Sequence, residues 1–239
     1  SATYARNTTS FAAQGIGQDI VNLFIVAPLL LLSTILYYKG NKKAMFLWAG
    51  LLSYILYSYV IYGFAQPFNF LFLVYCAILG ISFYAFMYFV ISKINGAIKD
   101  WYEEKFPKRA VIIYFVIIAA LFYFVWLSEV VPALLNDEIP ESIIENGTTT
   151  NPVHVLDLSI LLPALLITGI FLFRDNKFGY LLAPILLVFL TFMALAVIGM
   201  IIAMIILGVE TDLGLSVIFG LIIMINIVIS FLVFRTIKS

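Results

Sequence analysis

Seven apolar stretches alternate with short polar turns along the chain, at about 17–38, 44–64, 70–94, 110–131, 152–173, 178–208 and 213–234. A helix rises 1.5 Å per residue, so roughly 20 apolar residues cross the ~30 Å hydrocarbon layer. Hydrocarbon offers no partner to backbone N–H and C=O groups, which makes helix the expected state of each stretch. The pattern therefore predicts an all-α, polytopic transmembrane bundle of seven spans, occupying residues 17–239. Residues 1–16 read as an exposed N-terminal arm, and the segment around Trp101, between about 95 and 109, as a charged interfacial hairpin loop. The longest loop, 132–150, is acidic, with Asp137, Glu138, Glu141 and Glu145.

Composition agrees with this division. Hydrophobic residues make up 64% of the chain and charged residues 11%, too few to cover a water-soluble globule, for which ~25% is ordinary. The formal net charge is zero, but the charges are sorted. Of 13 Lys and Arg, all but Arg6 fall at one set of span ends: Lys39, Lys42, Lys43, Lys93, Lys99, Lys105, Lys108, Arg109, Arg174, Lys177, Arg235 and Lys238. Most acids fall at the other, including Glu210 and Asp212. The positive-inside rule then expects the N-terminus outside, the C-terminus in the cytoplasm and a multi-pass protein of the cell membrane. The one cysteine, Cys76, lies within a span and reads as a small core residue. Opening on Ser1, the chain leaves room for a removed signal peptide.

An internal repeat is also expected. Sliding the chain along itself until Pro28 falls on Pro163 also sets Lys39 on Arg174, Asn41 and Lys42 on Asn176 and Lys177, Asn22 on Asp157, and Asp19 on His154. Both stretches run in the same direction across the membrane, so the repeat would be parallel, with halves related by an axis along the membrane normal.

The candidate chemistry sits at the acid-rich span ends. Asn151 before Pro152 is a helix-start signal, since Asn caps free N–H groups and Pro tolerates the first helical position. It carries the only histidine, His154, into the membrane three residues before Asp157, on one face. Asp157 needs a partner if charged, and His154, Tyr62 or Glu129 could supply one. Glu129, close before Pro132, reads as a carboxylate at the unfavourable end of a helix dipole, or as the partner of a His154 imidazolium. Asp19 and Asn22 enter the first span, and the tyrosine stripe of the second, Tyr54, Tyr57 and Tyr62, ends beside Asn69. Intramembrane ionisable groups are functional candidates by default, and the candidate ligand-binding set is Asp19, Asn22, Tyr62, Asn69, Glu129, Asn151, His154 and Asp157. Against each stands a structural reading: capping, snorkelling or packing with a bonded hydroxyl. Trp126 and Trp48 read as interfacial belt residues.

Several classes are excluded. One histidine cannot supply a membrane zinc hydrolase, no mid-span lysine could form a retinal Schiff base, and there is no Gly-rich phosphate loop or CxxC. No cofactor or metal is expected, and the scattered bases suit lipid headgroups better than nucleic acid.

Gly17-Gln18-Asp19 at the first span and NPVHVLDL, Asn151 to Leu158, at the fifth resemble an uncharacterised family of prokaryotic multispanning membrane proteins. The resemblance implies no activity. It implies one more helix ahead of Ser1, which would make eight spans with a cytoplasmic start. Three readings stay open: a protein that binds or translocates a small ligand, ion or lipid headgroup at an outer-leaflet site between spans one and five; a structural or regulatory subunit contacting other membrane proteins; and an intramembrane acid/base enzyme using His154 with Asp157 or Glu129.

Overall fold

A computed structural model describes residues 2–103, 105–209 and 213–238, leaving Glu104, Glu210 and Asp212 outside the described residues. Eight α-helices follow in order: α1 (Thr9–Tyr38), α2 (Lys42–Phe64), α3 (Phe72–Lys93), α4 (Lys108–Asn136), the short α5 (Glu141–Asn146), α6 (Pro152–Phe173), α7 (Lys177–Ile206) and α8 (Leu213–Phe234). All but α5 are long and apolar enough to cross a membrane. The turns gather at two ends, one basic and one acidic.

Two boundaries differ from the sequence reading. α1 begins at Thr9, whose predecessor Thr8 caps it through Phe11 N–H, and Tyr4, Ser10, Phe11 and Ala13 are buried. Residues 1–16 are thus not an exposed arm: several of them pack, because small residues let α1 lie close against α7. α4 runs through Pro132 to Asn136, where Asp137 ends it in the left-handed region at φ 56°. The missing N–H of a proline costs little near a helix end in a polar loop. The segment after α3 is also no free hairpin. Ile98 and Tyr102 are buried under the bundle, Tyr102 donates to Tyr180 O (2.7 Å), and the chain pairs with the C-terminus through Glu103 N to Thr236 O and Lys238 N to Trp101 O. Cys76, expected in the core, is exposed on α3.

α1 and α6 share an interruption. Residues Asn22–Val26 and Asp157–Leu161 each form a π-helical turn, followed by regular helix over Ala27–Tyr38 and Leu162–Phe173. The register that sets Pro28 on Pro163 also sets each of these bounds in α1 on its counterpart in α6. Both prolines occupy the same place after the turn; a proline cannot donate to the preceding turn, and widening that turn accommodates the gap. In the same register, Asn41 and Asn176 cap α2 and α7 by accepting from Ala44 N and Phe178 N.

α2 and α7 form the centre, packing on each other at Gly50, where a Cβ would stand 2.4 Å from Val188 Cβ and 2.9 Å from Ile185 O. The N-terminal half of α1 packs on α7 and its C-terminal half on α2. α6 does the reverse, its N-terminal half on α2 and its C-terminal half on α7. α3 then lies on α2 and α8 on α7. Rings Tyr57 and Phe189 (5.4 Å) and Tyr54 and Phe192 (6.4 Å) cross the centre as a reciprocal pair in that register. α4 lies outside this exchange and packs on α6.

α1 crosses α7 closely, and a Cβ on Gly17 would be 2.3 Å from Gly199 O and one on Gly199 2.7 Å from Val21 Cγ2. In hydrocarbon such small-residue contacts drive association, because backbone can approach backbone. Gly17→Ala and Gly199→Ala should each lower stability by about 1–3 kcal/mol in detergent unfolding, as overpacking does. Gly80→Ala, with open space around the added methyl, should not lower it, since alanine is the better helix former.

Candidate functional site

The acidic end carries two polar clusters, both built on α2. In the first, Asp19 is exposed at its edge but held at both oxygens: Tyr4 donates to Oδ2 (2.6 Å) and Tyr62 to Oδ1 (2.8 Å). Tyr4 arrives from a 3-10 turn, Ala2–Tyr4, and lies over Gly15, where a Cβ would meet its ring at 2.5 Å. Burial, and then the neighbouring Asp19 carboxylate, hold the Tyr4 hydroxyl far above the ordinary phenol range, so it remains a donor. One turn deeper, Asn22 Oδ1 accepts from the Tyr54 hydroxyl (2.8 Å).

The second cluster joins α2, α4, α5 and α6. Asp157, 5% exposed at the start of the π turn, accepts from the Tyr57 hydroxyl at Oδ1 and from Trp126 Nε1 at Oδ2, each at 2.8 Å. Indole N–H can only donate, so the carboxyl oxygen facing it is an acceptor. The Trp126 ring also lies against the His154 imidazole, 4.7 Å between centroids. His154 is 5% exposed, and its Nε2 stands 3.4 Å from Glu129 Oε2. That is ion-pair distance without hydrogen-bond geometry, and Nε2 has no hydrogen-bond partner. The other oxygen of Glu129 accepts from Ser142 N (3.1 Å), Ser142 Oγ accepts from Asn151 Nδ2 (3.0 Å), and Asn151 Oδ1 caps α6 through Val153 N and His154 N. α5 is tied from its other end to α1, by Ser10 Oγ to Glu145 (2.6 Å) and Gln14 Nε2 to Asn146 Oδ1 (3.1 Å).

Beside His154 opens a cavity of about 490 Å³ between the end of α4, α5 and α6. Its walls are mainly apolar, from Val130, Leu134, Ile143 and Leu158, with Glu138, Thr150, Asn151, His154 and Ser159 as polar points; among the described residues no Lys or Arg lines it. Among the described residues no group of three or more His, Cys, Asp or Glu is placed to hold a metal ion.

Several expectations change. Asp157 meets neither His154, Tyr62 nor Glu129; its partners are Tyr57 and Trp126. Trp126, read as a belt residue, is a hydrogen-bond donor within the cluster. Glu129 does not meet an adverse helix end, because α4 continues to Asn136 and the carboxylate turns to the N–H of Ser142. Asn69 belongs to neither cluster; it holds the turn before α3, accepting from Leu71 N and donating to Pro67 O. Asp19 and His154 do not share one site between the first and fifth spans: each helix packs chiefly on others, and α2 supplies both clusters. Tyr4, Tyr57, Trp126 and Ser142 were not singled out as site residues. Two carried a signal in spacing: Tyr57 is three residues from Tyr54, and Trp126 three from Glu129, hence on shared helix faces.

The chain matches no protein-family model, no curated protein and no solved structure.

The bonds to Asp157 predict a contrast among aromatic variants. Tyr57→Phe and Trp126→Phe should each cost about 1–2 kcal/mol in detergent unfolding, since each removes one donor from a buried carboxyl. The double variant should lose more than the sum, as the last donor is then gone. Tyr114→Phe should be neutral or stabilising, because the Tyr114 hydroxyl is buried without a partner.

Proposed function

We propose that this protein binds a small amphiphile with a cationic or hydrogen-bond-donating head, in the cavity beside His154. The observation that carries the reading is His154 itself: a buried imidazole on a cavity wall, with an unpartnered Nε2 and a carboxylate 3.4 Å away. Buried polar atoms without partners are uncommon and call for an occupant or a role. Glu138 lines the cavity and Glu129 stands 3.4 Å from His154, whereas among the described residues no Lys or Arg lines it, so an anionic head would meet like charge. The apolar walls suit a hydrocarbon body lying along α4 and α6.

The same reading places the basic end in the cytoplasm and the cavity in the outer leaflet of the cell membrane, in keeping with the distribution of Lys and Arg. It also takes α1–α3 and α6–α8 as parallel repeats about an axis between α2 and α7, with α4 as the connecting span. The single register shared by the π turns, caps and prolines supports this, as does the reciprocal packing. Folds of this plan move substrates by rocking one half against the other, and translocation is the natural extension of binding.

A subunit role is favoured by one feature: Tyr84 and Tyr88 are 72% and 76% exposed on α3, where their hydroxyls would lie among acyl chains without partners. Cross-linking in native membranes at the exposed Cys76 of the same helix would detect a neighbouring chain there.

Octylamine and octanoate separate the binding proposal from non-specific partitioning. Octylamine should raise the melting temperature of the purified protein and octanoate should not. Glu129→Gln and His154→Phe should each remove the octylamine effect while still giving a cooperative melt. Equal shifts with both compounds, or an undiminished shift in both variants, would reject the reading.

A further inference from the structure

A second cavity, about 530 Å³, lies at the opposite end of the molecule, between the end of α1, the first turns of α2, the middle of α7 and the last turns of α8. Its walls include Leu36, Leu47, Phe192 and Phe231, and four polar residues interrupt them: Asn41, Lys43, Thr191 and Ser230. Lys43 stands at the mouth, exposed, with no carboxylate partner among the described residues. Ser230 Oγ is buried on the wall and has no hydrogen-bond partner. Thr191 lies deeper; its hydroxyl bonds Leu187 O and accepts from Asn226 Nδ2 (2.6 Å).

Charge sharpens the picture. Three helices carry a base at this end: Lys39 follows α1, Lys43 lies in the first turn of α2 and lines the mouth, and Arg235 follows Phe234, itself part of the wall. All three are exposed. The ion pair of the basic end, Lys108 with Asp175 at 2.8 Å, uses a base from none of these. Hydrogen bonds from Lys108 and Tyr180 keep the Asp175 carboxyl below the ordinary range.

From the mouth inwards, the order is ammonium, unpartnered hydroxyl, then apolar wall. We propose that this cavity is a binding site for an anionic phospholipid of the leaflet at the basic end. The phosphate pairs with Lys43, an ester carbonyl accepts from Ser230 Oγ, and one acyl chain lies along Leu47, Phe192 and Phe231. A free phosphate would use only the first of these contacts, and a zwitterionic lipid would bring a choline towards the Lys43 ammonium. The site is independent of the His154 cavity, which lies at the other end of the bundle.

The test uses the whole chain purified in detergent, with lipid retention read by native mass spectrometry and stability by thermal melting. Dioleoylphosphatidylglycerol should be retained preferentially over dioleoylphosphatidylcholine and should raise the melting temperature more; glycerol phosphate, lacking chains, should leave it unchanged. Lys43→Gln should weaken phosphatidylglycerol retention roughly fivefold, the order expected for one base at a membrane surface. Ile227→Trp, a substitution at a residue half exposed on the cavity wall, should reduce retention by filling the chain site. Lys105→Gln, a base of the segment between α3 and α4, should change nothing, and the lipid-free melts of all three variants report whether they fold. Three results would overturn the proposal: equal retention of the two lipids, a loss in Lys105→Gln equal to that in Lys43→Gln, or full retention in Ile227→Trp.

Discussion

A carboxyl group among acyl chains has no water to turn to, and in this protein the tyrosine hydroxyls of α2 take water's place. Tyr62 serves Asp19, Tyr54 serves Asn22 and Tyr57 serves Asp157, so one helix satisfies polar groups on the two flanking it. Each phenol also supplies a large apolar ring, and Tyr54 and Tyr57 use theirs at the central crossing, against Phe192 and Phe189. α2 therefore carries two loads with the same side chains: apolar packing at the middle of the bundle and hydrogen bonding at its acidic end. Few exposed residues remain on its inner face, whereas α3, which has no such duty, is exposed along most of its length.

The position of those hydroxyls explains why α1 and α6 share a backbone course but differ in chemistry. In the register that sets Pro28 on Pro163, Tyr54 and Tyr57 fall on Phe189 and Phe192, which keep the ring and drop the hydroxyl. At these two positions α7 offers no hydroxyl, and Asp157 reaches for Tyr57 of α2 and for Trp126 of α4. The π turns make this reach possible: each widens the helix by a residue and turns Asn22 or Asp157 relative to the regular helix beyond it. The same interruption in two helices thus leads to different surroundings, and beside the second lies the cavity with the unpartnered imidazole.

α5 holds this end together. Six residues long, it cannot be stable alone, and it is fixed by bonds to three other helices: Glu129 of α4 at its start, Asn151 before α6 beside it, Ser10 and Gln14 of α1 at its end. Glu129 thus bonds the backbone of the strap with one oxygen and faces His154 with the other.

What the sequence alone determined is the helical bundle, because apolar length is a local property and hydrocarbon leaves the backbone one solution. Seven spans, the cap at Asn151 and the matched prolines all follow from residues read in place. Tertiary structure alone decided the partners. Asp157 is three residues from His154, but hydrogen-bonds Tyr57, a hundred positions away, and His154 faces Glu129. Burial within the first sixteen residues and the course of α4 past Pro132 were likewise invisible, since both depend on what lies alongside. A polar group in a membrane announces that it needs a partner; which one it finds is set by how helices cross.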